Sequence, residues 1–145
     1  MKNFLLSSLL LVFACASFGE ETPEVEFEGV LIQRPDGSFM EFVLVENKIN
    51  CRFFNAEKQP IDPDVDRVSI RMQRRQPRVR NVYAVAIPHE GGKGLRAPIF
   101  IEKPQIFQAN LSLLRDGSDD AVEFYYFLYP DALSAAEPIT VFQSE

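Results

Sequence analysis

The chain has 145 residues, with 21 acidic against 15 basic side chains and a formal net charge of −6. That balance excludes a general nucleic-acid binder, which needs a basic face to meet phosphate. One His and two Cys leave little material for a transition-metal cluster or a disulfide framework.

Chain order begins with a secretory signal peptide at 1–19. Lys2 is a positive n-region, Phe4 to Phe13 an apolar h-region, and Ala14 and Ala16 supply small residues, with cleavage after Ala16 or after Gly19. The apolar stretch falls short of the ~20 residues that cross a bilayer. Val12-Phe13-Ala14-Cys15 offers a third outcome, lipidation of Cys15, which would tether the chain to a membrane by acyl chains. With Cys15 in the signal region, Cys51 is the remaining thiol and no internal disulfide can form, so apolar burial must hold the fold.

Period-two alternation dominates the rest. A strand is predicted at 25–33, followed by the hairpin turn Pro35-Asp36-Gly37 and a return strand at 39–46. The tight turn Glu46-Asn47-Lys48 leads to 49–55, where Ile49, Cys51 and Phe53 share one face and Cys51 reads as core. Residues 56–64, with Pro60 and Pro63, read as a loop. Val68, Ile70 and Met72 then point inward while Arg67, Ser69, Arg71 and Gln73 point outward. Further strands are predicted at 79–87, 97–102, 105–114 and 121–129, separated by the turn at Gln76-Pro77-Arg78, the glycine-rich loop 88–94 and the turn 115–120. The expected fold is all-β: a single immunoglobulin-like β-sandwich over 20–130, of seven or eight short, mainly antiparallel strands. A tail at 131–145 follows, with a candidate short strand at 139–142.

The run Gly37-Ser38-Phe39-Met40-Glu41-Phe42-Val43-Leu44-Val45, then Ile49-Asn50-Cys51-Arg52-Phe53-Phe54-Asn55 and Lys58-Gln59-Pro60-Ile61, resembles a pattern in a largely uncharacterised family of small exported bacterial proteins. The resemblance implies a compact β-sandwich and, through the settings of some members, a link to cation efflux. Some of those members carry His- or Cys-rich segments, whereas this chain has one His and one mature Cys.

Four groups of residues are candidates for chemistry. The cluster Arg67, Arg71, Arg74, Arg75, Arg78 and Arg80 is the strongest charge feature, and a hairpin turning at Pro77 would gather Arg74, Arg75, Arg78 and Arg80 at one tip. Their forked donors suit the carboxylates or phosphates of an acidic protein, lipid headgroup or acidic glycan. The competing reading makes them edge protection. Asp62, Asp64 and Asp66 would place three carboxylates along an extended segment, as a hard cation requires, but an EF-hand starting at Asp62 has Arg67 where glycine is needed and Gln73 where glutamate is needed. Tyr125, Phe127 and Tyr129 form either a stacking ladder for sugars or one covered face of a central strand, core packing being favoured. His89 and Glu90 lie beside Gly91-Gly92-Lys93-Gly94, which departs from a phosphate loop because Gly94 follows Lys93 where Ser or Thr is required.

These features predict a non-catalytic, exported binding module of the periplasm or cell envelope. It needs no cofactor, does not bind nucleic acid, has no transmembrane segment, and meets an envelope protein or anionic ligand through the Arg tip and the glycine loop. A metal-handling accessory and an enzyme acting on glycans are the alternatives.

Overall fold

The computed structural model describes residues 25–74, 81–89, 93–103, 105–115 and 117–130, among which every regular element is a strand. They are β1 (Val30–Gln33), β2 (Phe39–Val45), β3 (Lys48–Phe54), β4 (Pro60–Ile61), β5 (Arg67–Arg74), β6 (Val82–Pro88), β7 (Leu95–Phe100), β8 (Phe107–Leu114) and β9 (Ala121–Tyr129). The expected signal peptide at 1–19, with Cys15, and the tail at 131–145 with its candidate strand lie outside the described residues. No helix among the described residues is long and apolar enough to cross a membrane.

Local chemistry sets the hairpins. Gly37 takes a φ of 85°, while Asp36 Oδ1 accepts from both the amide and the hydroxyl of Ser38, a closed turn between β1 and β2. Glu46 and Asn47 both have positive φ, and Val45 pairs with Lys48, so β2 and β3 are joined by a two-residue loop of the kind whose twist matches that of the strands.

The strands pair antiparallel in the order β1-β2-β3-β7-β6-β5-β8-β9, with β4 added to β3. This bears out the all-β, mainly antiparallel expectation, with nine strands in a barrel-like arrangement rather than a confirmed two-sheet sandwich. Strand β6 pairs along Val82 to Ala86 with β5 and then, at Ile87 and Pro88, with β7, so β6 joins the two sets of strands into one nearly closed, barrel-like sheet. Pro60 and Ile61, expected in a loop, pair with Phe54 and Phe53. The proline is tolerated there because the short strand lies at an edge.

Alternation fills the interior. Phe42 of β2 meets Phe107 of β8 and Phe127 and Tyr129 of β9 edge-on, at centroid distances of 6.3, 5.2 and 5.9 Å, and Phe107 stacks on Tyr129 at 5.0 Å. These contacts draw the two ends of the sheet together across the core. Cys51 is wholly buried, and burial pushes its thiol pKa up to about 12.

Where the ladder leaves the ends unpaired, a buried charge network spans them. Arg34 follows Val30 and Ile32 in parity and so points inward, its side chain 1% exposed. It donates to Asp64 at 2.7 and 3.0 Å and to Glu123 at 2.7 and 3.0 Å, with its guanidinium 5.7 Å from the centre of the Phe53 ring. Tyr125 donates its hydroxyl to Glu123, and Arg115 reaches Asp64 from the β8–β9 turn at 2.6 Å. Burial opposes the charge of Arg34, but the hydrogen bonds to Glu123 and Asp64 outweigh it and hold the guanidinium still more firmly protonated.

The strand predicted from residue 25 begins only at Val30. Residues 25–29 instead lie over the outer face of β1, β2 and β3, where Val25 and Phe27 cover a second apolar cluster of Leu31, Phe39 and Phe54. Glu41, 1% exposed, accepts the amides of Glu28 and Gly29 at 2.8 Å each. The backbone passes so close that a Cβ on Gly29 would lie 2.2 Å from the Phe42 carbonyl oxygen, which only glycine permits.

Candidate functional site

Of the sheet's outer surface, the face of β6, β5, β8 and β9 is the part that carries a cluster of exposed aromatic side chains. Tyr83, Val85 and Ile87 project from β6, and Val122, Phe124 and Tyr126 from β9, all exposed despite their size. Between these two rails the outward residues of β5 and β8 are polar: Ser69, Arg71 and Gln73, then Gln108, Asn110 and Ser112.

Strand register aligns them in rows. Tyr83 pairs with Arg71, Arg71 with Asn110, and Asn110 with Tyr126. A second row runs Val85, Ser69, Ser112, Phe124. Gln108 donates to Gln73 at 3.1 Å in the next row. Three inter-strand steps separate the rails, roughly 14 Å at the usual spacing. The result is a trough between two side-chain rails, each part aromatic and part aliphatic, with a hydroxyl- and amide-lined floor.

Arg71 is the charge in that floor. Among the described arginines it alone makes no side-chain hydrogen bond or ion pair with a described residue: Arg34, Arg52, Arg67, Arg74, Arg96 and Arg115 are each engaged. Its guanidinium is therefore available between Tyr83, 68% exposed, and Tyr126, 53% exposed.

Residues singled out from the sequence fall elsewhere. Arg74 is half-buried at the end of β5 and donates to the carbonyl of Glu102 at 3.2 Å; Arg75, Arg78 and Arg80 lie outside the described residues, so the tip is described at Arg74 alone. Asp64 is taken by Arg34 and Arg115, and Asp66 accepts the amide of Gly117 at 2.7 Å, so these carboxylates serve arginines and a turn rather than a shared ligand. Among the described residues no three His, Cys, Asp or Glu side chains are grouped to hold a metal ion. Tyr125, Phe127 and Tyr129 are buried, as core packing requires. The expectation of a central strand is corrected among the described residues: there β9 pairs with β8 alone, and its second face exposes Val122, Phe124 and Tyr126. Alternation separates these two faces in the sequence, but both are aromatic, so hydrophobicity does not tell which one the core takes.

Comparison of the chain with protein-family models, with curated proteins and with solved structures found no match.

Proposed function

We propose that the chain is an exported, non-catalytic binding module that holds an acidic polysaccharide in the trough between β6 and β9. The observation that carries this reading is Arg71, without a side-chain partner among the described residues and aligned between two exposed tyrosines. Aromatic rings offer flat apolar area to the C–H faces of sugar rings, and tyrosine adds a polar edge. Asn110, Ser69 and Ser112 offer donors and acceptors to hydroxyl groups, and Arg71 presents a forked donor to a uronate carboxylate.

Arg71 as the one cation in the floor of the trough, in a chain of net charge −6, fits a polymer with spaced carboxylates better than a dense polyanion such as nucleic acid. The signal-peptide pattern around Lys2, Ala14 and Ala16 supports encounter with such polymers outside the cytoplasm.

Affinity electrophoresis in gels containing polygalacturonate, alginate or neutral dextran tests this. Retardation by an acidic polymer, weakened in Arg71→Gln and in Tyr126→Ala, is expected. Equal mobility in all gels, or retardation that both variants retain in full, would overturn it.

A further inference from the structure

A second site lies on a different part of the surface, where β3 and β7 pair beside the end of β6. A cleft of about 190 Å³ opens there, lined by Asn50, Arg52, His89, Lys93 and Arg96 over a floor formed by Cys51 and Leu95. It is smaller than the ~300 Å³ at which pockets begin to take drug-sized ligands.

Its chemistry is one-sided. Among the described residues, three cationic side chains and a histidine border the cleft, and no carboxylate does. Arg52 is partly offset from outside, since its Nη1 lies 3.4 Å from the buried Glu41 and 3.9 Å from Glu28. Arg96 gives its Nε to Asn50 Oδ1 at 2.9 Å, and Asn50 is itself fixed by donating to the carbonyl of Lys48 at 3.0 Å. Asn50 therefore orients Arg96 without neutralising it, leaving both terminal nitrogens unengaged among the described residues. Lys93 likewise has no ion pair with a described residue.

The backbone is shaped to bring these groups together. Gly94 has a φ of 119°, and a Cβ there would lie 2.5 Å from the Cys51 carbonyl oxygen. Only glycine lets the chain press onto β3 at this point and carry Lys93 and Arg96 to either side of the contact. Arg96 and Lys93, neither paired with a carboxylate among the described residues, make a favourable environment for an oxyanion, which Arg binds through two parallel N–H bonds and Lys as a point charge.

We infer that this cleft binds a small oxyanion, the phosphate or carboxylate group of a low-molecular-weight ligand, independently of the trough. Calorimetric titration of the purified full chain with inorganic phosphate and, in a separate arm, with succinate tests it, alongside amide NMR shifts at Lys93, Gly94 and Arg96. Saturable binding with shifts at those amides is expected, and the arm that binds tells which oxyanion chemistry the site prefers. Lys93→Gln, whose side chain is exposed, and Arg96→Gln should each weaken binding, and together at least tenfold, while Arg71→Gln leaves it unchanged. Unfolding curves of the single Lys93→Gln variant keep the test valid if Arg96→Gln perturbs the fold. Absence of binding by either anion at millimolar concentration, or binding that survives both substitutions in a folded protein, would overturn the inference.

Discussion

The guanidinium of Arg34 and the carboxylate of Glu123 meet at 2.7 Å although 89 positions separate them in the chain. One sits where β1 gives way to its turn and the other near the start of β9, the two end strands of the sheet. Asp64 shares the same guanidinium, so three distant segments are tied at one buried point. Removing the arginine would strand carboxylate charge away from water.

Arg34→Met is therefore expected to destabilise the fold by about 3–5 kcal/mol, the usual cost of breaking a buried pair from one side. Adding Glu123→Gln should recover part of that loss, because the carboxylate left without its partner is then neutral. Urea unfolding of the single and double variants measures both effects.

Asp64 links stability to acid. Burial raises its pKa, but the hydrogen bonds and charge of Arg34, with help from Arg115, overcome this and hold the carboxyl below its ordinary value. A depressed pKa means that its contribution is present above about pH 4 and is lost as pH falls through the folded value. The unfolding midpoint should drop as pH falls below about 4. In Asp64→Asn it should start lower at neutral pH and fall less over that window.

Cys51 gives the opposite sign. Its thiol rises from 9.0 to about 12 by burial alone, so the neutral form stabilises the fold below pH 9 and that contribution is lost as pH rises toward 12. At pH 8 a thiol reagent should label Cys51 no faster than the protein opens. Labelling at the rate of a free cysteine would contradict the burial described here.

Backbone crowding makes a third class of outcome. Gly29→Ala places a methyl group against the Phe42 carbonyl and should cost about 1–3 kcal/mol, typical of forced overpacking. Gly37→Ala meets no atom within 4 Å, and its cost should be confined to the strain of a φ of 85°. Comparing the two by thermal unfolding separates steric contact from conformational strain.

The trough should be separable from stability. Tyr83→Ser and Tyr126→Ser remove exposed rings that the core does not use, so each should change unfolding free energy by no more than about 0.5 kcal/mol. A larger loss in either would show that the rings are packed structural elements.

Much of the fold was readable in the residues themselves. Val68, Ile70 and Met72 alternate cleanly with polar neighbours and are buried, Cys51 lies with Ile49 and Phe53, and the turns at Gly37 and at Glu46-Asn47 have the expected backbone. Strand partners were harder, because the pairing of β3 with β7 and of β5 with β8 joins segments whose contact is decided by the whole sheet and not by any local pattern. Arg34 illustrates a subtler miss. Its place beside Pro35-Asp36-Gly37 reads as an exposed turn, while its parity with Val30 and Ile32 is the signal that it points inward. Arg71 stood within the basic cluster, but its lack of a side-chain partner among the described residues emerges only when the other arginines are seen with theirs.

The segment at 25–29 fixes where the domain hangs from whatever precedes it. Glu41 and the Phe27–Phe54 contact bind that segment to the outer face of β1, β2 and β3, and in a sheet that nearly closes on itself those strands stand across from β5 and β8. A tether entering at Val25, an acyl anchor at Cys15 included, would thus hold the domain by its back. Under such a tether the aromatic trough would face away from the anchoring surface, in reach of long polymers.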